Sequence, residues 1–169
     1  MATSKTLTIN DDSGFLAIAN ADKYKSFVGE SWEYHQLIKH FIDQMNNNNL
    51  IIWATGLEDK WTINFSDRQS NKKSFREFSK GISVTDGQLS LTNYEDLTMA
   101  AQFEDAKIPA NHNKELFVQV ENGIYNIIVR QLFDSSKSEI SDSADFEVVI
   151  QKVNTANSEQ IDKVFWLTE

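Results

Sequence analysis

The 169-residue sequence predicts an α+β domain, mainly antiparallel β, with a curved sheet or sandwich of about nine short strands and one long amphipathic helix near the N-terminus. Three observations predict it. Short runs of β-branched and aromatic residues recur at near-regular spacing between turn-forming residues. A single long stretch, from Trp32 to Met45, shows helical periodicity instead. A doubly wound parallel sheet is disfavoured, because its crossovers require a helix between most strands and only one is evident.

The elements follow in order. Thr6–Ile9 and Phe15–Ala19 read as strands of a first hairpin around the turn-forming Asn10 to Gly14. Asp22 to Val28 reads as a turn of helix preceding the main one, with Tyr24, Phe27 and Val28 toward the core. From Trp32, the apolar residues Tyr34, Leu37, Ile38, Phe41, Ile42 and Met45 recur at three- and four-residue steps, the stripe of an amphipathic helix. Ser31 is the expected N-cap, and the asparagines Asn46 to Asn49 suit a left-handed helix end.

Leu50–Ala54 is apolar throughout and suits a central strand, while Trp61–Phe65 alternates and places Trp61, Ile63 and Phe65 on one face. A second hairpin is expected from them. Phe75 and Phe78 fit either a short helix or a bent strand. Ile82–Val84 and Leu89–Leu91 flank Asp86-Gly87, a third hairpin signal, and Leu97 to Phe103 fits a strand or a helical turn. The strongest local signal is Leu116–Leu132, where two β-rich runs flank Asn122-Gly123, the preferred dipeptide of a two-residue primed turn. Asp134 to Asp145 reads as an exposed loop, Phe146–Val153 as a strand, and Lys163–Leu167 as a last short one. No repeat or linker divides the chain, so residues 1–169 read as a single domain.

Composition narrows function by exclusion. Cysteine is absent, which excludes disulfides, thiolate metal sites and cysteine nucleophiles. The sequence contains neither a signal-peptide pattern nor an apolar stretch long enough to span a bilayer, so the expectation is a cytoplasmic protein with no membrane contact. There is no phosphate loop, no dinucleotide fingerprint and no nucleophile elbow; Gly29-Glu30-Ser31 lacks the second glycine of the last. No cofactor and no metal are expected. His35 and His40 are five apart, about 140° around a helix, which is wrong for a shared ion. His40 and His112 read as surface residues. Asp11-Asp12, Glu58-Asp59, Glu95-Asp96 and Glu104-Asp105 are acidic pairs next to turns, where solvation explains them.

The net charge is −9, and its distribution is uneven. Lys60 to Lys80 carries six basic residues against two acidic ones, which leaves −13 on the remainder. That field repels polyanions, so nucleic acid is not an expected ligand despite the phenylalanines in the basic stretch. Trp32 and Trp61 fall on apolar faces and read as core. A small, acidic, cysteine-free domain without catalytic motifs is similar in general character to bacterial immunity proteins and nuclease inhibitors, which cover basic toxins. This resemblance is one of type and rests on no matched residue. It implies a non-enzymatic binding protein whose acidic face docks a basic protein partner, with Glu95, Asp96, Glu104 and Asp105 as the expected contact residues. A sandwich that binds a small ligand or carbohydrate is the alternative, and a carboxylate-dependent hydrolase the third.

Overall fold

A computed structural model describes residues 4–134, 144–156 and 159–168. Much of the Asp134 to Asp145 loop lies outside the described residues. Among those described, nine strands form two sheets. The first sheet has the order β1-β4-β9-β8-β5, with β1 Lys5–Asp11, β4 Asp59–Ser66, β9 Phe146–Val153, β8 Gly123–Gln131 and β5 Arg76–Val84. The second has the order β3-β2-β6-β7, with β3 Leu50–Ala54, β2 Phe15–Ala19, β6 Gln88–Asn93 and β7 Phe117–Gln119. Pairing is antiparallel apart from β4 with β9, which run parallel. Helix α1 spans Tyr34–Asn46 and helix α2 spans Tyr94–Gln102.

The inner faces of both sheets share one core. Leu7, Ile9, Ile18, Trp53, Trp61, Ile63, Phe65, Ile127 and Phe146 are buried there, with Trp53 and Trp61 each about 5 to 6 Å from Phe146, ring to ring. A second apolar layer lies on the outside of the second sheet. Ala17, Ala19, Leu50 and Ile52 face outward and are covered by Leu37, Phe41 and Met45 of α1 and by Leu97 and Ala101 of α2.

All four expected hairpins are corrected by this topology. Asn122-Gly123 joins β7 to β8, yet β7 pairs with β6 and β8 with β5 and β9. The turns between β1 and β2, β3 and β4, and β5 and β6 likewise carry the chain from one sheet to the other. Alternation fixes which side of a strand faces the core, and two strands facing each other across a core show the same pattern as two neighbours in one sheet. Gly123 still holds a positive φ of 156°, and Asn122 Oδ1 accepts from Gly87 N at 2.7 Å, so the turn residues clasp a neighbouring crossing rather than close a hairpin.

The first crossing shows how such a turn is held. Asp11 is fully buried, and its Oδ1 accepts from the backbone N–H groups of Ser13, Gly14 and Phe15 at 3.2, 2.7 and 3.1 Å. Its Oδ2 accepts from Thr55 Oγ1 at 2.7 Å and Trp61 Nε1 at 2.8 Å. One carboxylate thus fastens the β1–β2 crossing to the β3–β4 crossing. Gly14, at φ 83°, takes the left-handed conformation the tight loop requires.

Smaller corrections concern α1. The N-cap is Glu33 rather than Ser31, in a capping box with Gln36, whose Oε1 accepts from Glu33 N at 2.8 Å. Asn48 adopts φ 61° just beyond the helix. His40 is half-buried, with its ring 5.8 Å from that of Tyr24, instead of facing solvent. Burial holds its pKa below the ordinary histidine value. Phe78 resolves within strand β5, with Phe75 in the bend just before it, rather than in a helix, and Leu97 to Gln102 form part of α2. Phe165 makes one bridge to Trp53 at the edge of β3, where a strand is expected from Lys163 to Leu167.

Candidate protein-docking surface

Helix α2 positions the acidic pairs singled out in the sequence, and it uses them differently. Asn93 caps the helix, its Oδ1 accepting from Asp96 N at 2.9 Å, and Glu95 and Asp96 suit the positive first turn. Asp96 is only 5% exposed. Its two oxygens accept from Asn113 Nδ2 at 2.6 Å and face His112 Nε2 at 2.9 Å, tying the 105–114 loop to the helix. Glu95 accepts from Asp12 N at 2.6 Å. Burial, with Asp11 and Asp12 close by, raises its pKa above the usual carboxylate range. Glu95 and Asp96 therefore shape the surface from beneath.

Glu104 and Asp105, at the other end of the helix, are exposed. Beside them stand Met99 and Phe103, 54% and 44% exposed, one helical turn apart. Against the expected helical turn with Phe27 toward the core, the 24–29 segment is not helical and Phe27 is 42% exposed, brought alongside because Val28 N and Gly29 N both donate to Ala101 O, at 2.8 and 3.0 Å. Between α2 and the following loop lies an open groove of about 580 Å³, with Met99, Ala106, Pro109 and Ala110 on its apolar walls. Its rim carries Asp105 and His112 together with Lys107 and Lys114. Large apolar side chains exposed together next to unpaired acids are unusual on a solvated surface, which makes this face a candidate contact site. Met99, Phe103 and Phe27 carry no sequence signal for this role, since their exposure depends on how the 27–29 segment and the loop pack on α2.

The basic stretch lies on the opposite side. Arg130 and Glu147 alternate with inward-facing Val129 and Val148, so both point from the outer face of the first sheet. They are buried and paired, Nη1 to Oε1, at 2.7 Å. Glu147 Oε1 also accepts from Ser70 N at 2.9 Å, and Arg130 Nη2 donates to Lys72 O, which fastens the loop carrying Arg68, Lys72 and Lys73 to that sheet. Burial acts to raise the Glu147 pKa, but the hydrogen bonds from Ser70 and Arg130 outweigh it and hold the carboxyl below its ordinary value. Of the remaining basic residues in this stretch, Lys80 is buried against Asn48 Oδ1 and Arg76 lies 4.1 Å above the Trp166 ring. The exposed cations of this loop, Arg68, Lys72 and Lys73, thus lie on the face opposite the helices.

The other sequence candidates are dispersed. Asp11 is structural, Asp12, Glu58 and Asp59 are exposed, and among the described residues no three His, Cys, Asp or Glu side chains gather as a metal site. Trp53 and Trp61 are core residues, and Trp32 and Trp166 are half-buried. Trp166 borders a second opening of about 350 Å³ with Phe15 and Leu57. Among the described residues no helix is long and apolar enough to cross a membrane.

No family model and no curated protein matches the chain. Solved structures share its fold. One, described as crocagin biosynthetic gene J, superposes with a TM-score of 0.61 at 9% identity, covering 91% of this chain and 100% of the other. Another is ComJ from Bacillus subtilis, an inhibitor of the DNA-degrading activity of NucA, with a TM-score of 0.55 at 12% identity over 90% of this chain and 99% of the other. At such identities the likeness is one of fold.

Proposed function

We propose that this chain is a non-enzymatic, inhibitor-type binding protein, acting as one domain, that covers a basic protein partner with its α2 face. The observation that carries the reading is the exposed Met99 and Phe103 beside Glu104 and Asp105, above a groove already formed. Apolar anchors supply affinity by leaving water, and exposed acids within a field of −13 steer a cationic partner to them. The fold shared with ComJ, an inhibitor of the DNA-degrading activity of NucA, supports the same reading. A DNA-degrading enzyme is a natural kind of basic partner, since its substrate is a polyanion.

The test is binding and inhibition with a basic nuclease that co-purifies with the chain. A stoichiometric complex that silences the nuclease, and that Met99→Ala with Phe103→Ala weakens, is the expected result. A nuclease equally inhibited by that double variant overturns the assignment of the surface.

A further inference from the structure

Strand β1 closes one side of the first sheet, and the hydrogen-bond phase of its neighbour shows where its backbone points. Thr62 of β4 accepts from Asp145 N through its carbonyl and donates its own N–H to Asp145 Oδ2, at 2.8 Å each. Both groups of Thr62 are therefore directed toward β9 and away from β1. Thr8 stands opposite Thr62 in the ladder, so theirs is a non-hydrogen-bonded pair and the N–H and C=O of Thr8 point outward. By the two-residue period of a strand, Thr6 and Asn10 do the same. Asn10 confirms the phase, because its carbonyl accepts from Asn93 Nδ2 outside the sheet at 2.9 Å. Among the described residues, nothing pairs with the outward backbone groups of Thr6 and Thr8. Their side chains and that of Asn10 are exposed.

Between its end residues Lys5 and Asp11 this edge has no proline and no charge, and the ladder to β4 runs without a bulge, so the stretch about Thr8 is left open. It is also complementary to itself. Antiparallel pairing of two such edges about Thr8 sets Thr8 against Thr8 and Thr6 against Asn10, all with outward-directed groups. Each chain then donates from those three residues and accepts at the same three; the Asn10 carbonyl has a second lone pair for the purpose. Lys5 stays clear of the seam, its Nζ donating to Phe117 O of its own chain at 2.6 Å, and small polar side chains lie along the shared edge.

We propose that the free edge of β1 takes a second copy of this chain, joining two five-stranded sheets into one continuous antiparallel sheet across a two-fold axis. The site does not rest on the reading of the α2 face, and its Asn10 end adjoins the start of that helix, where Asn93 donates to Asn10 and Glu95 accepts from Asp12.

Proline at position 8 gives a clean test. It removes an N–H that faces outward and leaves the β4 ladder intact, whereas its ring obstructs a strand added there. Sedimentation equilibrium of the intact protein at about 100 µM is expected to show a dimer, and Thr8→Pro to raise its dissociation constant at least thirtyfold, roughly the loss of two backbone hydrogen bonds. Thr8→Lys, which places like charges opposite each other, gives the same result by another route. Hydrogen exchange supplies a second readout: the amides of Thr6, Thr8 and Asn10 slow as protein concentration rises, while that of Leu7 does not respond. A wild-type protein that sediments as a monomer throughout this range, or a dimer that both variants leave unchanged, overturns the proposal; a monomer that gains protection at these amides only with another protein assigns the edge to that protein instead.

Discussion

Replacing Asp11 by alanine removes the one carboxylate that joins two sheet crossings, and the cost can be worked from its five partners. Thr55 Oγ1 keeps a second acceptor, Leu57 O at 3.0 Å, and Ser13 is exposed and regains water. Three donors are stranded: Gly14 N, Phe15 N and Trp61 Nε1, which are bonded to Asp11 at 2.7, 3.1 and 2.8 Å. Each buried donor left unpaired costs about 1–3 kcal/mol, and partial water entry into the vacated space brings the sum to about 4 kcal/mol. For a chain of this size that lowers Tm by about 8–16 °C. Asp11→Asn is milder, at roughly 1–3 kcal/mol, since the amide oxygen still serves the three backbone donors while its NH2 group meets the indole N–H. Urea denaturation monitored by tryptophan fluorescence and circular dichroism measures both. A loss below about 1 kcal/mol for the alanine variant, or an asparagine variant that is the worse of the two, refutes the role given to Asp11.

Two further outcomes follow from buried charge. Arg130→Met strands Glu147 and frees the loop at Ser70 and Lys72, costing about 3–5 kcal/mol by chemical denaturation, whereas Arg130→Met with Glu147→Leu restores much of it. His40 has a folded-state pKa depressed by burial below its unfolded value, so its contribution to stability is complete above about pH 6.5 and declines as pH falls below that toward the folded pKa. His40→Gln flattens the stability profile in that window, and a wild-type profile that is already flat between pH 7.5 and 5 contradicts the burial; the raised pKa values of Glu95 and Asp145 act in the opposite sense, at lower pH.

Much of the architecture is legible in the sequence because a strand's two-residue period reports which side is buried. Trp61, Ile63 and Phe65 are all core, and the strands expected from alternation in the first 132 residues have counterparts, apart from Leu97 to Phe103, whose helical alternative is the one realised in α2. Partner choice is not legible. Asn122-Gly123 specifies a turn that tolerates positive φ, but whether its arms pair or part into two sheets depends on β6, β5 and β9, which lie elsewhere in the chain. Asn93 as the cap of α2 follows local rules. The pairing of Asp96 with His112 and Asn113 does not, since the loop that brings them back is set by tertiary packing. A closer signal exists for Arg130 and Glu147. Arg130 is the lone charge of β8 and Glu147 the lone charge of the apolar run 146–150, both at outward positions, and such residues in neighbouring strands are candidates to meet.

The central claim, a basic protein steered onto the α2 face, is tested most directly by stopped-flow association rates with the purified partner as salt rises from about 0.05 to 0.5 M. The account predicts that the wild-type association rate falls by about tenfold or more while dissociation changes little, and that Glu104→Lys with Asp105→Lys starts slower and loses most of the salt dependence. Rates that ignore salt, or a charge-reversed variant that associates as fast as wild type across the range, contradict it.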